Sequence, residues 1–136
     1  MTYIGRFAPS PTGPLHFGSL ITAVASYCDA KANQGTWLVR IEDTDIPRIY
    51  PNSESHILDC IDAFEFEPDA DIIFQKNRLD LYEDVLEQLK QAQQIYACEC
   101  TRKQLGSNHI YVGTCRDLHL DFLNQAIRLK VDDQLI

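Results

Sequence analysis

Apolar positions recur along the chain with two alternating periods, and this alternation predicts an α/β fold. Residues 2–7 and 36–41 have the composition of strands. An apolar stripe at helical spacing separates them and comprises Leu20, Val24, Tyr27 and Cys28. We expect Ser19 to cap this helix and Gly35 to end it. Two strands joined by one helix close most simply as a right-handed parallel βαβ unit.

The pattern of helices and strands continues towards residue 131. After an acidic turn at residues 42–45, Asn52 or Ser53 can cap a second helix, and residues 72–74 read as a short buried strand. A third helix is predicted over residues 79–94, and residues 126–131 alternate enough to form a strand. Residues 96–115 have little periodicity, so we interpret them as an irregular insert stabilised by something other than an apolar core.

Composition and charge narrow the class of protein. The 136 residues contain 12 Lys and Arg against 20 Asp and Glu, a formal net charge of −8, and 45% are apolar. These values are typical of an ordinary globular domain and argue against disorder or a basic nucleic-acid arm. No apolar run is long enough for a bilayer, and no secretory signal is visible. An odd number of cysteines, five, favours thiols or metal ligands over disulfides and a cytosolic protein.

The Pro-rich segment before the first helix is the first candidate site. Residues 9–19 read Pro-Ser-Pro-Thr-Gly-Pro-Leu-His-Phe-Gly-Ser, with His16 just before the predicted helix. A helix N-terminus offers free N–H groups and a positive dipole end, which suit a phosphate, and Gly18 lets a nucleotide approach the backbone. The alternative is a plain Pro-rich loop with a hydrogen-bonded histidine. From position alone, a salt bridge of Arg6 with Asp43 or Asp45 is the favoured interpretation.

Cysteines form the second candidate site. Cys98 and Cys100 lie two residues apart, and Cys115 follows. Three thiols supply three of the four ligands that Zn²⁺ requires, and His109 is the ordinary chemical choice for the fourth. Such a closed site would be structural; the alternative is three free cysteines in a loop. We expect the other two cysteines, Cys28 and Cys60, to be core or near-core thiols.

Three separated motifs, in order, resemble one enzyme family. Residues 6–13 (Arg-Phe-Ala-Pro-Ser-Pro-Thr-Gly) and 15–19 (Leu-His-Phe-Gly-Ser) resemble the first signature of the glutamyl class of class I aminoacyl-tRNA synthetases. The resemblance continues through residues 38–45 and 47–48 into the cysteines and covers essentially the whole chain. The Phe-Gly-Ser-Leu helix start and the Cys-x-Cys…Tyr-x3-Cys spacing look like the shortened branch of the family, which lacks an anticodon-binding domain.

The resemblance implies a reaction and a set of site residues. ATP, with Mg²⁺, would activate L-glutamate, and the glutamyl group would pass to queuosine in the anticodon of tRNA(Asp); no membrane or DNA partner is implied. His16 would be the catalytic residue, donating a hydrogen bond to the phosphates. The glutamate site would comprise Arg6, Phe7, Ala8, Pro9, Ser10 and Glu42, with Arg6 on a carboxylate and Glu42 on the ammonium group. The ATP site would comprise Pro9, Thr12, Gly13, His16, Gly18 and Ser19.

The same resemblance implies a structural Zn²⁺ and a division of the chain. It points to Tyr111 as the fourth ligand, and we choose it over His109, giving Cys98, Cys100, Tyr111 and Cys115. Residues 1–95 would be the first half of a Rossmann-like catalytic domain, 96–120 an irregular zinc-binding insert, and 121–136 a return strand of the catalytic domain.

One family motif has no counterpart in these residues. The family's catalytic domain continues into a Lys-Met-Ser-Lys-Ser-like loop, and none of the five lysines here is followed by x-Ser-Lys. We therefore expect a truncated N-terminal portion with an incomplete active site. Two alternatives are a fragment of a glutamyl-tRNA synthetase and a non-catalytic zinc module that binds tRNA or a partner protein.

Overall fold

Three parallel strands organise the N-terminal part of the chain. The computed structural model describes residues 3–101, 103–104, 111 and 113–131. Strands β1 (Ile4–Phe7), β2 (Thr36–Ile41) and β3 (Ile73–Phe74) form one sheet in the order β1-β2-β3. Both strand pairs are parallel. Helix α1 (Phe17–Ala32) connects β1 to β2 and packs on both strands, so the parallel βαβ prediction is confirmed.

The apolar core lies on one face of this sheet. Alternate residues of β2, namely Trp37, Val39 and Ile41, are almost fully buried, as the period of a strand requires. Helix α2 (Ser53–Ala63) adds Ile57 and Ile61 to the same core. Its N-cap is Asn52, one of the two predicted residues. The sheet and both helices therefore bury one continuous apolar cluster.

Helix α1 differs from the prediction at its ends and on its packing face. It begins before the predicted cap, because His16 rather than Ser19 is the N-cap residue. At its other end Gln34, not Gly35, adopts the left-handed conformation. Glycine is needed at position 35 for space, since a Cβ there would lie 2.4 Å from the Tyr3 carbonyl oxygen.

The prediction that Cys28 is a core or near-core thiol is wrong, because its side chain is exposed. Helix α1 packs instead through its small residues Ala23 and Ala30, with Tyr27 beside them. Small residues let the helix approach the sheet closely, and this rotates the Val24 and Cys28 side of the predicted stripe towards solvent.

The chain divides into two compact units, Met1–Leu79 and Asp80–Ile136, called here the first and second units. Helix α3 (Leu79–Gln91) ends earlier than predicted, and Gln93 after it is left-handed. Two antiparallel strands follow, β4 (Ile95–Cys98) and β5 (Ala126–Leu129). The described helices include none long and apolar enough to cross a bilayer.

The second unit is more regular than the sequence suggests. Strand β4 occupies the start of the segment predicted to be irregular, and all four of its residues are buried. The strand predicted over residues 126–131 forms as β5 and pairs with β4. Among the described residues it has no partner in the parallel sheet. The division at residues 95 and 120 stays a prediction.

Candidate functional site

A cavity of about 440 Å³ opens where β1 ends and α1 begins. This is the edge at which ligands bind in open parallel sheets. Eight of the residues predicted to contact glutamate or ATP line it: Phe7, Ala8, Pro9, Ser10, Thr12, Gly13, His16 and Ser19. We call it the β1–α1 cavity. Most residues of the first signature therefore line one cavity, because they follow one another between β1 and α1.

His16 is fixed at this cavity by the first turn of α1. Its Nδ1 accepts a hydrogen bond from the Ser19 N–H at 3.1 Å, and its Nε2 lies 3.2 Å from the Ser19 hydroxyl oxygen. Because Nδ1 is an acceptor here, the neutral ring carries its proton on Nε2. The exposed imidazole is thus oriented with an N–H donor at Nε2.

Two glycines shape the surroundings of His16. A Cβ on Gly18 would lie 3.1 Å from the imidazole ring, so the absence of a side chain there makes room for His16 itself. Gly13 has φ +152°, a conformation that other residues rarely adopt. The N–H groups of Phe17 and Gly18 belong to the first turn and have no partner inside the helix. Histidine and backbone donors thus occur together at one helix start.

Helix α2 anchors the Pro-rich loop. The Pro11 carbonyl accepts hydrogen bonds from the Ser53 hydroxyl at 2.6 Å and from the Tyr50 N–H at 2.9 Å. The Glu42 N–H donates to the Pro9 carbonyl at 2.9 Å, which ties the loop to the end of β2. Ser53 is completely buried. Sequence reasoning gave Ser53 only a capping role, because 42 residues separate it from Pro11.

Glu42 lies at a smaller neighbouring cavity. That cavity, of about 190 Å³, is lined by Ser10 and Thr12 as well as by Glu42. The Arg40 guanidinium forms a salt bridge with Glu42 Oε1 at 2.7 Å, and both side chains are about one-third exposed or less. The shared residues Ser10 and Thr12 connect the surroundings of Glu42 to the β1–α1 cavity.

Arg6 lines neither the β1–α1 cavity nor the smaller cavity at Glu42. It is exposed on β1, and within the described part of the chain it forms no salt bridge. The alternative that it pairs with Asp43 or Asp45 is wrong. Asp43 is buried and lies 3.3 Å from Lys76 Nζ, whereas Asp45 pairs with Arg48.

The three predicted cysteine ligands converge in the second unit. The sulfurs of Cys98, Cys100 and Cys115 all lie within 4.8 Å of one another, and Cys98 and Cys115 are buried. The Tyr111 hydroxyl is 3.5 Å from the Cys98 sulfur and accepts a hydrogen bond from the Cys115 N–H at 2.7 Å. The competing residue His109 lies outside the described residues.

Hydrogen bonding and burial shift the pKa values of Cys98, Cys100 and Tyr111 in different directions. Burial raises the pKa of the Cys98 thiol, but hydrogen bonds with Tyr111 and Arg128 outweigh it and lower that pKa to about 6. The hydrogen bond with Cys115, and then burial, raise the pKa of Cys100 to about 11. Burial, followed by the Cys98 sulfur, raises the pKa of Tyr111. Cys98 therefore ionises before Cys100, and the thiolate is the metal-binding form.

The donor set fits a tetrahedral soft-metal site. Zn–S bonds of about 2.3 Å would place sulfur ligands about 3.8 Å apart, close to the 3.4 Å between the Cys100 and Cys115 sulfurs. Arg128 packs over the Tyr111 ring, with its guanidinium carbon 4.1 Å from the ring centroid. Its positive charge beside the thiols favours their ionised form. The cluster can therefore hold a zinc ion with three sulfur ligands.

Comparison with known proteins decides the family. Residues 4–113 match the family described as tRNA synthetases class I (E and Q), catalytic domain. The chain belongs to this family. The first signature, the parallel βαβ unit and the cysteine cluster all lie wholly or almost wholly within the matched residues.

Relatives and solved structures are consistent with that assignment. The chain is 77% identical over 134 residues to the glutamyl-Q tRNA(Asp) synthetase of Acinetobacter baylyi, covering 98% of this chain and 46% of that protein. It is 48% identical to the enzyme of the same name from Vibrio cholerae, covering 99% of this chain and 45% of that protein. The chain thus spans less than half the length of these relatives.

The fold also resembles that of an experimental structure. A glutamate tRNA ligase from Elizabethkingia meningosepticum, crystallised in complex with its amino acid, superposes with a TM-score of 0.68 at 36% identity. The match covers 77% of this chain and 22% of the ligase. The likeness confirms the predicted class I synthetase fold for this part of the catalytic domain.

Proposed function

We propose that this chain forms the glutamate-activating part of an enzyme that transfers a glutamyl group to queuosine in tRNA(Asp). The observation that carries the proposal is the β1–α1 cavity, which collects the signature residues at a helix N-terminus. The name of the relative at 77% identity supports queuosine and tRNA(Asp), rather than ordinary tRNA glutamylation, as the acceptor. A fragment of a glutamyl-tRNA synthetase is the nearest alternative.

His16 is the proposed catalytic residue, acting on the phosphates of ATP. Its Nε2–H now faces the Ser19 hydroxyl, and a phosphate oxygen offers that donor a stronger, charge-assisted acceptor. The N–H groups of Phe17 and Gly18, in the same first turn of α1, would add the helix dipole. Attack of the glutamate α-carboxylate on the α-phosphate forms glutamyl-adenylate and expels pyrophosphate. These donors would stabilise the charge that develops on the phosphate.

Glutamate is proposed to lie between the loop and the end of β2. The Arg40 salt bridge engages Oε1 of Glu42, so Oε2 is the oxygen proposed to accept from the substrate ammonium. Ser10 would add a hydroxyl contact, while Phe7, Ala8 and Pro9 form the wall. Arg6 remains the proposed partner of a substrate carboxylate, because an exposed guanidinium offers a bidentate fork.

Zn²⁺ is the proposed ion of the cysteine cluster, held by Cys98, Cys100, Cys115 and Tyr111. It would act as a structural cross-link within the second unit, since four protein ligands leave no position for substrate. Mg²⁺ is proposed to accompany ATP, as it does in most reactions at nucleotide phosphates. A cytosolic location stays a prediction from the cysteine content.

The test is binding of a stable mimic of glutamyl-adenylate, in which a sulfamoyl group replaces the phosphate. Calorimetry of the chain should show saturable binding that His16→Ala weakens at least about tenfold, the loss of one charge-assisted hydrogen bond. His56→Ala is the matched control, because His56 is exposed on α2 away from the cavity. Equal binding by both variants, or no binding by the folded chain, would contradict the proposal.

A further inference from the structure

A second cavity, in the second unit, concentrates positive charge. It has a volume of about 220 Å³, and its lining includes Lys90, Arg116, His119 and Lys130. We call it the basic cavity. The signature motifs do not include it, and no step of the proposed reaction uses it.

Its charge is opposite to that of the chain as a whole. The 136 residues carry a net charge of −8, yet none of the described residues that line the basic cavity is acidic. A nearby carboxylate, Glu87, lies 3.7 Å from Lys90 Nζ in an exposed pair within α3. Such a pair contributes little in water. Like charges repel, so an anion between them would be stabilised.

Three separate elements bring these cations together. Lys90 comes from α3, where its ammonium lies 5.4 Å from the centroid of the Phe122 ring. Arg116 follows the last cysteine of the cluster and donates from Nη2 to the Val131 carbonyl at 3.3 Å. Lys130 follows β5, and its N–H donates to the Gln94 carbonyl at 2.7 Å. Hydrogen bonds to backbone carbonyls thus fix the guanidinium of Arg116 and the backbone of Lys130.

Arg116 also has an unused donor. Its Nε is buried and has no hydrogen-bond partner among the described residues. A buried N–H without an acceptor is costly, so the described part of the protein alone does not satisfy the Arg116 guanidinium. Guanidinium and ammonium groups together match the oxygens of a phosphate. The cavity has the volume of about seven water molecules, enough for one such group with some of its hydration.

We propose that the basic cavity binds a phosphate group. The phosphate is either part of an RNA backbone or a free anion, since both present the same oxygens. Assigning it to RNA rests on the proposed function, in which tRNA is a substrate. Phosphate binding itself does not depend on glutamate activation.

The test uses the whole chain and two probes, inorganic phosphate and a short RNA hairpin. Amide signals of the chain are followed by nuclear magnetic resonance, with ATP and glutamate absent. Lys90→Gln and Lys130→Gln each remove one charge from the basic cavity. Lys103→Gln is the matched control, because Lys103 is exposed in the same unit and does not line the cavity. The metal content of each variant verifies that the second unit is intact.

Phosphate should shift the signals of Arg116, His119 and Lys130 in the unmodified chain. Each cavity variant should weaken RNA binding about fivefold at about 0.15 M salt and lower the salt slope by about one, whereas K103Q should not. Shifts with phosphate but not with RNA would identify a free anion as the ligand. Absence of shifts with both probes, or equal losses in K103Q, would overturn the proposal.

Discussion

The first unit buries Trp37, Val39 and Ile41 against two helices, whereas the least exposed side chains of the second unit are Ala97, Cys98 and Cys115. Helix α3 contributes no buried residue at all. Burial of apolar surface, which contributes about 25 cal/mol per Å², therefore stabilises the first unit. The second unit instead converges on thiols, and small structures of that kind usually require a metal or another cross-link. The two units should respond differently to the same perturbations.

Removing one of the proposed zinc ligands should have the largest effect, and only in the second unit. Cys115→Ser leaves the buried cluster without one of its three sulfurs, and structural Zn²⁺ contributes about 10 kcal/mol or more in small domains. We expect loss of bound zinc and of the β4–β5 amide signals. Trp37, the one tryptophan of the chain, lies in the first unit, so its fluorescence should stay unchanged.

Cys28→Ser is the matched control for this experiment. Cys28 is exposed on α1, so the substitution removes a thiol without touching the cluster. It should change neither the zinc content, nor the β4–β5 amide signals, nor the Trp37 fluorescence. Retention of the β4–β5 signals in zinc-free C115S would refute the claim that a metal holds the second unit.

A substitution that creates a cavity in the apolar core of the first unit should destabilise that unit and leave zinc binding in the second unit unchanged. Ile57→Ala removes a completely buried side chain, which costs about 2–5 kcal/mol of unfolding free energy. Denaturant unfolding followed by Trp37 fluorescence measures the loss, while zinc content should not change. Ile21→Ala, at a position 52% exposed on α1, is the control and should change stability little. Release of zinc by I57A would show that the units do not behave separately.

The substitution with the smallest expected effect tests whether Tyr111 is the fourth ligand. Tyr111→Phe keeps the ring that stacks near Tyr96 and Arg128 but removes the hydroxyl oxygen. The Cys115 N–H also loses its acceptor. If the phenolate is a ligand, zinc affinity should fall at least about a hundredfold. Loss of a residue that only contacts a ligand usually lowers metal affinity less than that. A competition titration measures this, and a fall below about tenfold would point away from Tyr111.

Local patterns predicted the order of strands and helices in the first unit well, because the period of each element is visible in the sequence. The period of β2 and the spacing around α1 give the parallel unit, and the Pro-rich segment necessarily follows β1. The cap at His16 was missed because histidine is not among the residues preferred there. The hydrogen bond from Ser53 to Pro11 was missed because no periodicity connects residues 42 positions apart.

Sequence patterns described the second unit less well. Strand β4 is buried at every residue, so it lacks the alternation that marks a half-buried strand. The spacing of the three cysteines predicted their convergence, but it carries no information about Arg128, which contacts Tyr111 from β5. The basic cavity combines residues of α3 and β4, the segment after Cys115 and the residue that follows β5. Only the folded chain brings these together.

The most direct test of the proposed glutamate-activating role is to locate the sulfamoyl mimic of glutamyl-adenylate on the chain. Amide signals followed during its addition report each unit separately. We expect shifts at Ser10, Gly13 and Ser19, which line the β1–α1 cavity, and at Gly18 beside His16. Shifts confined to the second unit, or none in a folded and zinc-loaded sample, would contradict it.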